Sequence, residues 1–212
     1  MLVQEIEDYL RKDIKRSIRN DVYPLVASST VPRDGGLFGA PLLMFSRIDF
    51  LGYLYKGERS SKSAVTFIRD YFGKIDIRYA EVGGLLYHIY RHGTIHEYEP
   101  KKVKLADGTQ MAWYVYKGGS KELHLSAYVE GSVLWLRLRL DSLFEDLNSA
   151  IDLYIEGLKK DEKLRQRFKK ARNEILQPES EAEVRKKGRE YILQSDFDFV
   201  ARSVAKSSSA PS

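Results

Sequence analysis

The sequence predicts an α+β fold, mainly α: an N-terminal four-helix, bundle-like unit, a small antiparallel β-meander, and C-terminal helices. Three observations predict it. Apolar residues recur at three- and four-residue spacing over the first hundred positions and again after Asp141, the period of amphipathic helices. Between 103 and 140 the period falls to two and Gly-containing turn signals separate the runs, the pattern of short strands. Finally, 43% of the 212 residues are apolar, with 14 Tyr and 9 Phe, enough for one good-sized core.

Leu2, Ile6, Tyr9/Leu10, Asp13/Ile14 and Ile18 place the first helix over residues 2–20. Val22 to Gly39, with Ser28-Ser29-Thr30-Val31-Pro32-Arg33-Asp34-Gly35-Gly36 at its centre, reads as a long loop of the kind that often serves function. Pro41 suits the first turn of a second helix that runs to Tyr55 and stops at Gly57. Leu42, Leu43, Phe45, Ile48, Phe50, Leu51 and Leu54 predict its burial on several sides, and Arg47 and Asp49 are conspicuous charges inside it. A shorter third helix spans Ser63 to Phe72, with Gly73 as its stop. Asp76 caps a fourth from Ile77, whose stripe of Val82, Leu85, Leu86, Ile89, Tyr90 and Gly93 runs on until Pro100 excludes helix.

Four strand-like runs follow: Val103/Leu105, Met111–Tyr116, His124–Val129 and Val133–Leu140. Asp107-Gly108, Lys117–Ser120 and Glu130–Ser132 are the turns between them. In the last run Leu134, Leu136, Leu138 and Leu140 alternate with Val133, Trp135, Arg137 and Arg139, giving one apolar and one partly basic face. From Asp141 the helical period returns through Leu143, Leu147, Ile151, Tyr154 and Leu158. A basic helix comes next, then Pro178 and a final helix to about Leu193. The organisation expected is a helical unit at 1–100, the meander at 101–140, helices at 141–195 packing on the same core, and a flexible tail at 196–212.

Composition removes several chemistries. With no cysteine there is no disulfide, no thiolate metal site and no Cys nucleophile. No apolar run approaches the roughly 18 residues of a transmembrane helix, and the acidic start Met1-Leu-Val-Gln-Glu-Ile-Glu-Asp is unlike a secretory signal. A cytoplasmic protein without membrane association is expected. The net charge of +5 is unevenly placed: Lys159, Lys160, Lys163, Arg165, Arg167, Lys169, Lys170 and Arg172 face only Asp161 and Glu162. Such clustering suits a polyanion such as RNA, because neutralising phosphates releases counterions; a solvated helix face is the alternative.

Chemistry concentrates at Leu85–His96, which holds three of the four histidines and Arg91. Imidazole exchanges protons near neutral pH, and a guanidinium forks onto phosphate, so the pair suits acid–base work on a phosphodiester. On one straight α-helix, at about 100° per residue, Arg91 and His96 stand roughly 140° apart. Convergence then requires a break at Gly93, for which Thr94 and Glu97 have the form of a capping box, or a two-fold dimer. His88, His92 and His96 also stand at the i, i+4, i+8 spacing of a metal row, but Ile89 occupies the place where H-E-x-x-H needs Glu, and no metal or other cofactor is expected. Trp113, Tyr114, Tyr116, Tyr128 and Trp135 suit base stacking on a sheet, or strand packing.

Arg91-His92-Gly93-Thr94-Ile95-His96 resembles the R-x4–6-H signature of the HEPN superfamily. The resemblance covers these six residues and the four-helix organisation of 1–100; the sheet and helices of 101–195 lie outside that common core. It implies a helical bundle and a metal-independent endoribonuclease acting on RNA as a homodimer. By position, Arg91 is then the phosphate-binding arginine, His96 the acid–base histidine and His92 the polar neighbour. A non-catalytic RNA- or protein-binding protein, and a histidine-cluster metal-binding protein, are the alternatives.

Overall fold

A computed structural model describes residues 2–28, 38–93, 102–188 and 192–198. The fold is α+β and mainly α, with one four-stranded sheet among the described residues. The chain divides into two compact units, Met1–Arg172 and Asn173–Ser212.

Helix α1 combines Val3–Asp8, a more widely wound π segment at Tyr9–Lys15, and Arg16–Asp21. It buries Ile6, Leu10, Ile14 and Ile18, the stripe its sequence announces. The loop expected from Val22 is helical at first, as α2 (Tyr23–Ser28). Val22 and Val26 extend the same four-residue stripe into the core, and Pro24 falls in a first turn, where its missing N–H costs nothing. Residues 29–37 of that expected loop lie outside the described residues.

Helix α3 (Gly39–Lys56) is buried on several sides and ends at Gly57, whose φ of +76° lets its N–H cap Tyr53 O. Helix α4 (Ser61–Tyr71) starts at Ser60, whose hydroxyl accepts from Ser63 N–H. A 3-10 turn, Phe72–Lys74, leads to α5 (Arg78–Tyr87), and Asp76 accepts from Arg78 N–H at 3.0 Å. Long helix α6 (Leu140–Lys160) turns Leu143, Leu147, Ile151, Tyr154 and Leu158 inward as its stripe predicts. The Tyr154 ring packs within 6.3 Å of Tyr55, Phe67, Tyr71 and Phe168, joining α3, α4, α6 and α7 (Glu162–Leu176) in one aromatic core.

The sheet contains β1 (Val103–Lys104), β2 (Gln110–Tyr116), β3 (Ala127–Glu130) and β4 (Val133–Arg139), in the order β1-β2-β4-β3. It is mixed rather than wholly antiparallel. Strand directions alternate as in a meander, but β4 lies between β2 and β3 and pairs parallel with β2 from Gln110↔Val133 to Tyr116↔Arg139. Two features account for the exchange. The β2–β3 connection is too long for a tight turn, carries left-handed Gly118 and Gly119, and contains a 3-10 turn at Lys121–Leu123. Moreover β4 is seven residues long, no position in it is exposed and it takes two partners, whereas short, mostly exposed β3 is suited to an edge. At the β4–α6 corner Arg139 donates to Gly118 O and Ser142 Oγ, while Asp141 accepts from Gly118 N–H.

Within the second unit, α8 (Glu181–Lys187) has a reciprocal capping box between Ser180 and Glu183. Arg185 pairs with Glu181 and stacks 4.7 Å over the Phe197 ring.

Candidate active site

After Tyr87 the fourth helix does not continue as α-helix. His88–Gly93 is π-wound, so the straight-helix geometry that separates Arg91 from His96 ends at Tyr87. Such wide turns leave backbone groups differently spaced and are frequent at functional sites. Ile89 and Tyr90 anchor the turn in the core: the Tyr90 ring stacks on Phe45 at 5.6 Å and meets Trp113 edge-on at 5.1 Å.

Arg91 lies half-buried on this turn, and its Nε donates to Asp49 Oδ2 on α3. The other Asp49 oxygen accepts from the Tyr87 hydroxyl. Burial, reinforced by that carboxylate, pushes the Tyr87 phenol up to about 12, so it stays a hydrogen-bond donor at neutral pH. Asp49 thus grips the stem side of the guanidinium, and among the described residues no other side chain bonds Arg91. The terminal Nη edge keeps its two-pronged donor capacity. The other conspicuous charge of α3, Arg47, turns to α1 instead, bonding Ser17 and Asp21 at 2.8 Å.

His92 has its backbone in the π turn; its side chain, and His96 entirely, lie outside the described residues. His88 is exposed. Among the described residues no three His, Asp or Glu side chains stand together as metal ligands.

The basic segment is less open than its charge suggests. Lys159 is paired with Glu7 and Glu156, and Arg165 donates to Leu158 O and Lys159 O at the end of α6. Arg167 and Arg172 lie over the Tyr55 and Tyr9 rings. Lys160, Lys163 and Lys170 are exposed, with Lys169 half-buried. At least half of the eight cations are therefore engaged in pairing, packing or capping.

A second polar constellation escapes a sequence reading. His124, Tyr79 and Asp146 are each at most 3% exposed. Arg139 N–H donates to His124 Nδ1 at 3.1 Å, so the proton of the neutral ring sits on Nε2. That Nε2 lies 2.8 Å from the Tyr79 hydroxyl, which donates to Asp146 Oδ2 at 2.9 Å. The chain runs Nε2–H to Oη–H to carboxyl, with every member satisfied. His124 and Asp146 are 3.8 Å apart, yet they form no ion pair: burial lowers the imidazole to about 4 and raises the carboxyl to about 6. The legible signal was Asp146 itself, a carboxylate on the inward face of α6 beside Leu143 and Leu147.

These shifts have opposite signs in stability. Asp146, ordinarily 3.8, holds its proton more tightly folded than unfolded, so its contribution falls as pH rises from about 4 to about 6. His124, ordinarily 6.5, takes a proton more readily unfolded, so its contribution rises from about pH 4 to 6.5. The two nearly cancel in the native chain. Asp146→Asn should therefore gain stability as pH rises through that window and His124→Gln should lose it, each by on the order of 2 kcal/mol. Urea midpoints between pH 4 and 7 check this; parallel slopes in the two variants would contradict it.

No family model matches the chain, and neither a curated protein nor a solved structure matches it. Among the described residues no helix is long and apolar enough to cross a membrane.

Proposed function

We propose that the protein is a HEPN-like, metal-independent endoribonuclease that uses Arg91 and His96 on an RNA phosphodiester. The observation that supports this reading is the grip of Asp49 on Arg91 Nε. It leaves the forked Nη edge for phosphate and fixes the arginine on a core-anchored turn, in place before substrate arrives. The ribose 2′-OH attacks the adjacent phosphorus, forming the O–P bond as the P–O5′ bond breaks. His96 serves the proton transfer, Arg91 meets the charge growing on the phosphoryl oxygens, and His92 is the polar neighbour. Products carry a 2′,3′-cyclic phosphate and a 5′-OH. A homodimer in which residues 85–96 of both copies line one cleft brings two such sets together.

Purified protein incubated with mixed RNAs, with and without EDTA, tests the proposal. Cleavage that persists in EDTA and is lost in His96→Ala is the expected result. RNA binding without cleavage would favour the non-catalytic reading, and a stoichiometric metal lost in His92→Ala the metal-binding one.

A further inference from the structure

We propose that the cleft between α1, α2 and α6 is a nucleotide-binding site, with Arg16 and Arg19 on the phosphate and Tyr23 against the base. This site shares no residue with the Arg91 turn.

The cleft encloses about 870 Å³, within the range of small-ligand sites. One wall is a cationic row of Arg11, Lys15, Arg16 and Arg19 on α1, of which Arg11, Lys15 and Arg19 each follow a residue of its buried stripe and so flank that stripe. The row is not internally neutralised. Lys15 and Arg11 are tied to Asp152, but Arg16 has only a 3.7 Å approach to Asp13, and no partner is recorded for Arg19 among the described residues. Two guanidinium groups with open donors, three residues apart, are suited to a phosphate that each can fork onto.

The floor adds what a free phosphate would not need. Tyr23 is 51% exposed, and its ring leans on Phe144 at 5.7 Å and 45°, a contact that steadies the ring while about half of the residue stays open to solvent. A base gains stacking on such a ring whatever its identity. The rim carries polar groups for ribose and base edges. Asn148 commits its amide N–H to Phe144 O and keeps its carbonyl, while Glu145, which accepts from Lys121 Nζ at 3.3 Å through Oε2, has its second carboxylate oxygen as a further acceptor. Guanidinium groups, an exposed aromatic ring and polar acceptors lining one cleft match the three parts of a nucleotide.

Calorimetric titration of the full chain tests this, with uridine 5′-monophosphate, inorganic phosphate and a tetrauridylate as probes. Saturable binding of the monophosphate is expected. Arg16→Glu with Arg19→Glu should weaken it at least about tenfold. Tyr23→Ala should weaken it about fivefold or more while leaving inorganic phosphate unchanged. Because all three side chains are largely exposed, unaltered melting verifies that these variants fold. A tetrauridylate that binds more tightly and competes identifies the ligand as an RNA strand; a monophosphate that binds without such competition identifies a free nucleotide. Absence of saturable binding by either would overturn the proposal, as would binding lost in Arg91→Ala but retained in the α1 variants. That last result would assign the nucleotide to the Arg91 turn and leave the proposed nuclease site intact.

Discussion

Arg91→Ala is expected to lower RNA cleavage by about 10²–10³-fold, the loss typical of removing one preorganised donor to transition-state charge. The side chain is half-buried at the end of a turn whose packing rests on Ile89 and Tyr90, so its removal should leave the melting profile close to native. Asp49 divides positioning from charge. It touches no substrate in this account and acts through Arg91 Nε, with Tyr87 on its second oxygen. Asp49→Asn keeps one acceptor and should cost about tenfold, in kcat rather than KM, because it loosens the orientation of a bound arginine. Arg91→Lys should behave almost as badly as alanine, since an ammonium cannot bond Asp49 and fork onto phosphate together. Equal cleavage by native protein and Arg91→Ala would remove Arg91 from the chemistry.

The largest effect on stability is expected at Gly52. A Cβ there would meet the Ala64 Cα and N at 2.6 Å and the Ser63 carbonyl carbon at 2.8 Å. These atoms are backbone of α4, so relief requires α3 and α4 to move apart. Alanine normally favours a helix interior over glycine by about 1 kcal/mol. Here overpacking should reverse the sign and cost 3 kcal/mol or so, the upper part of the usual overpacking range. Gly52→Val should prevent folding at ordinary temperatures. Gly84 on α5 is the internal comparison: its Cβ would find only ordinary contacts, 3.5 Å from Arg69 and 3.8 Å from Val65. Gly84→Ala should therefore stabilise by up to about 1 kcal/mol. Chemical denaturation of both variants checks the pair, and the same sign of change in both would contradict the close packing at Gly52.

Single-helix patterns were legible because each stripe faces one core: the stripe of α6 read correctly to the residue and that of α1 from Ile6 onward, while Leu2, at the helix start, is 72% exposed. Asp49 was conspicuous as a charge in an apolar helix, but its partner, 42 residues away, was not readable from spacing. Strand order failed for a related reason. Period-two alternation places residues on faces but says nothing of which strand lies beside which, and the longer, better-buried β4 takes the inner place while short β3 takes the edge. His124 looked like the start of a strand, whereas the chain turns at Leu125, whose φ is +56°, and the imidazole joins Tyr79 and Asp146 inside. The cations of α1 follow no motif spacing in the sequence, and it is tertiary structure that sets them beside α2 and α6 in one cleft.

The chemistry assigned to Arg91 and His96 is most directly tested by the ends it leaves on RNA. A short RNA of defined sequence, and the same RNA with a single 2′-deoxy nucleotide at the principal cleavage point, are incubated with the protein in EDTA and the fragments weighed by mass spectrometry. The first RNA should yield 2′,3′-cyclic phosphate and 5′-OH ends, and the second should not be cleaved at that point. Cleavage of the 2′-deoxy site, or fragments ending in 3′-OH and 5′-phosphate, would contradict that chemistry.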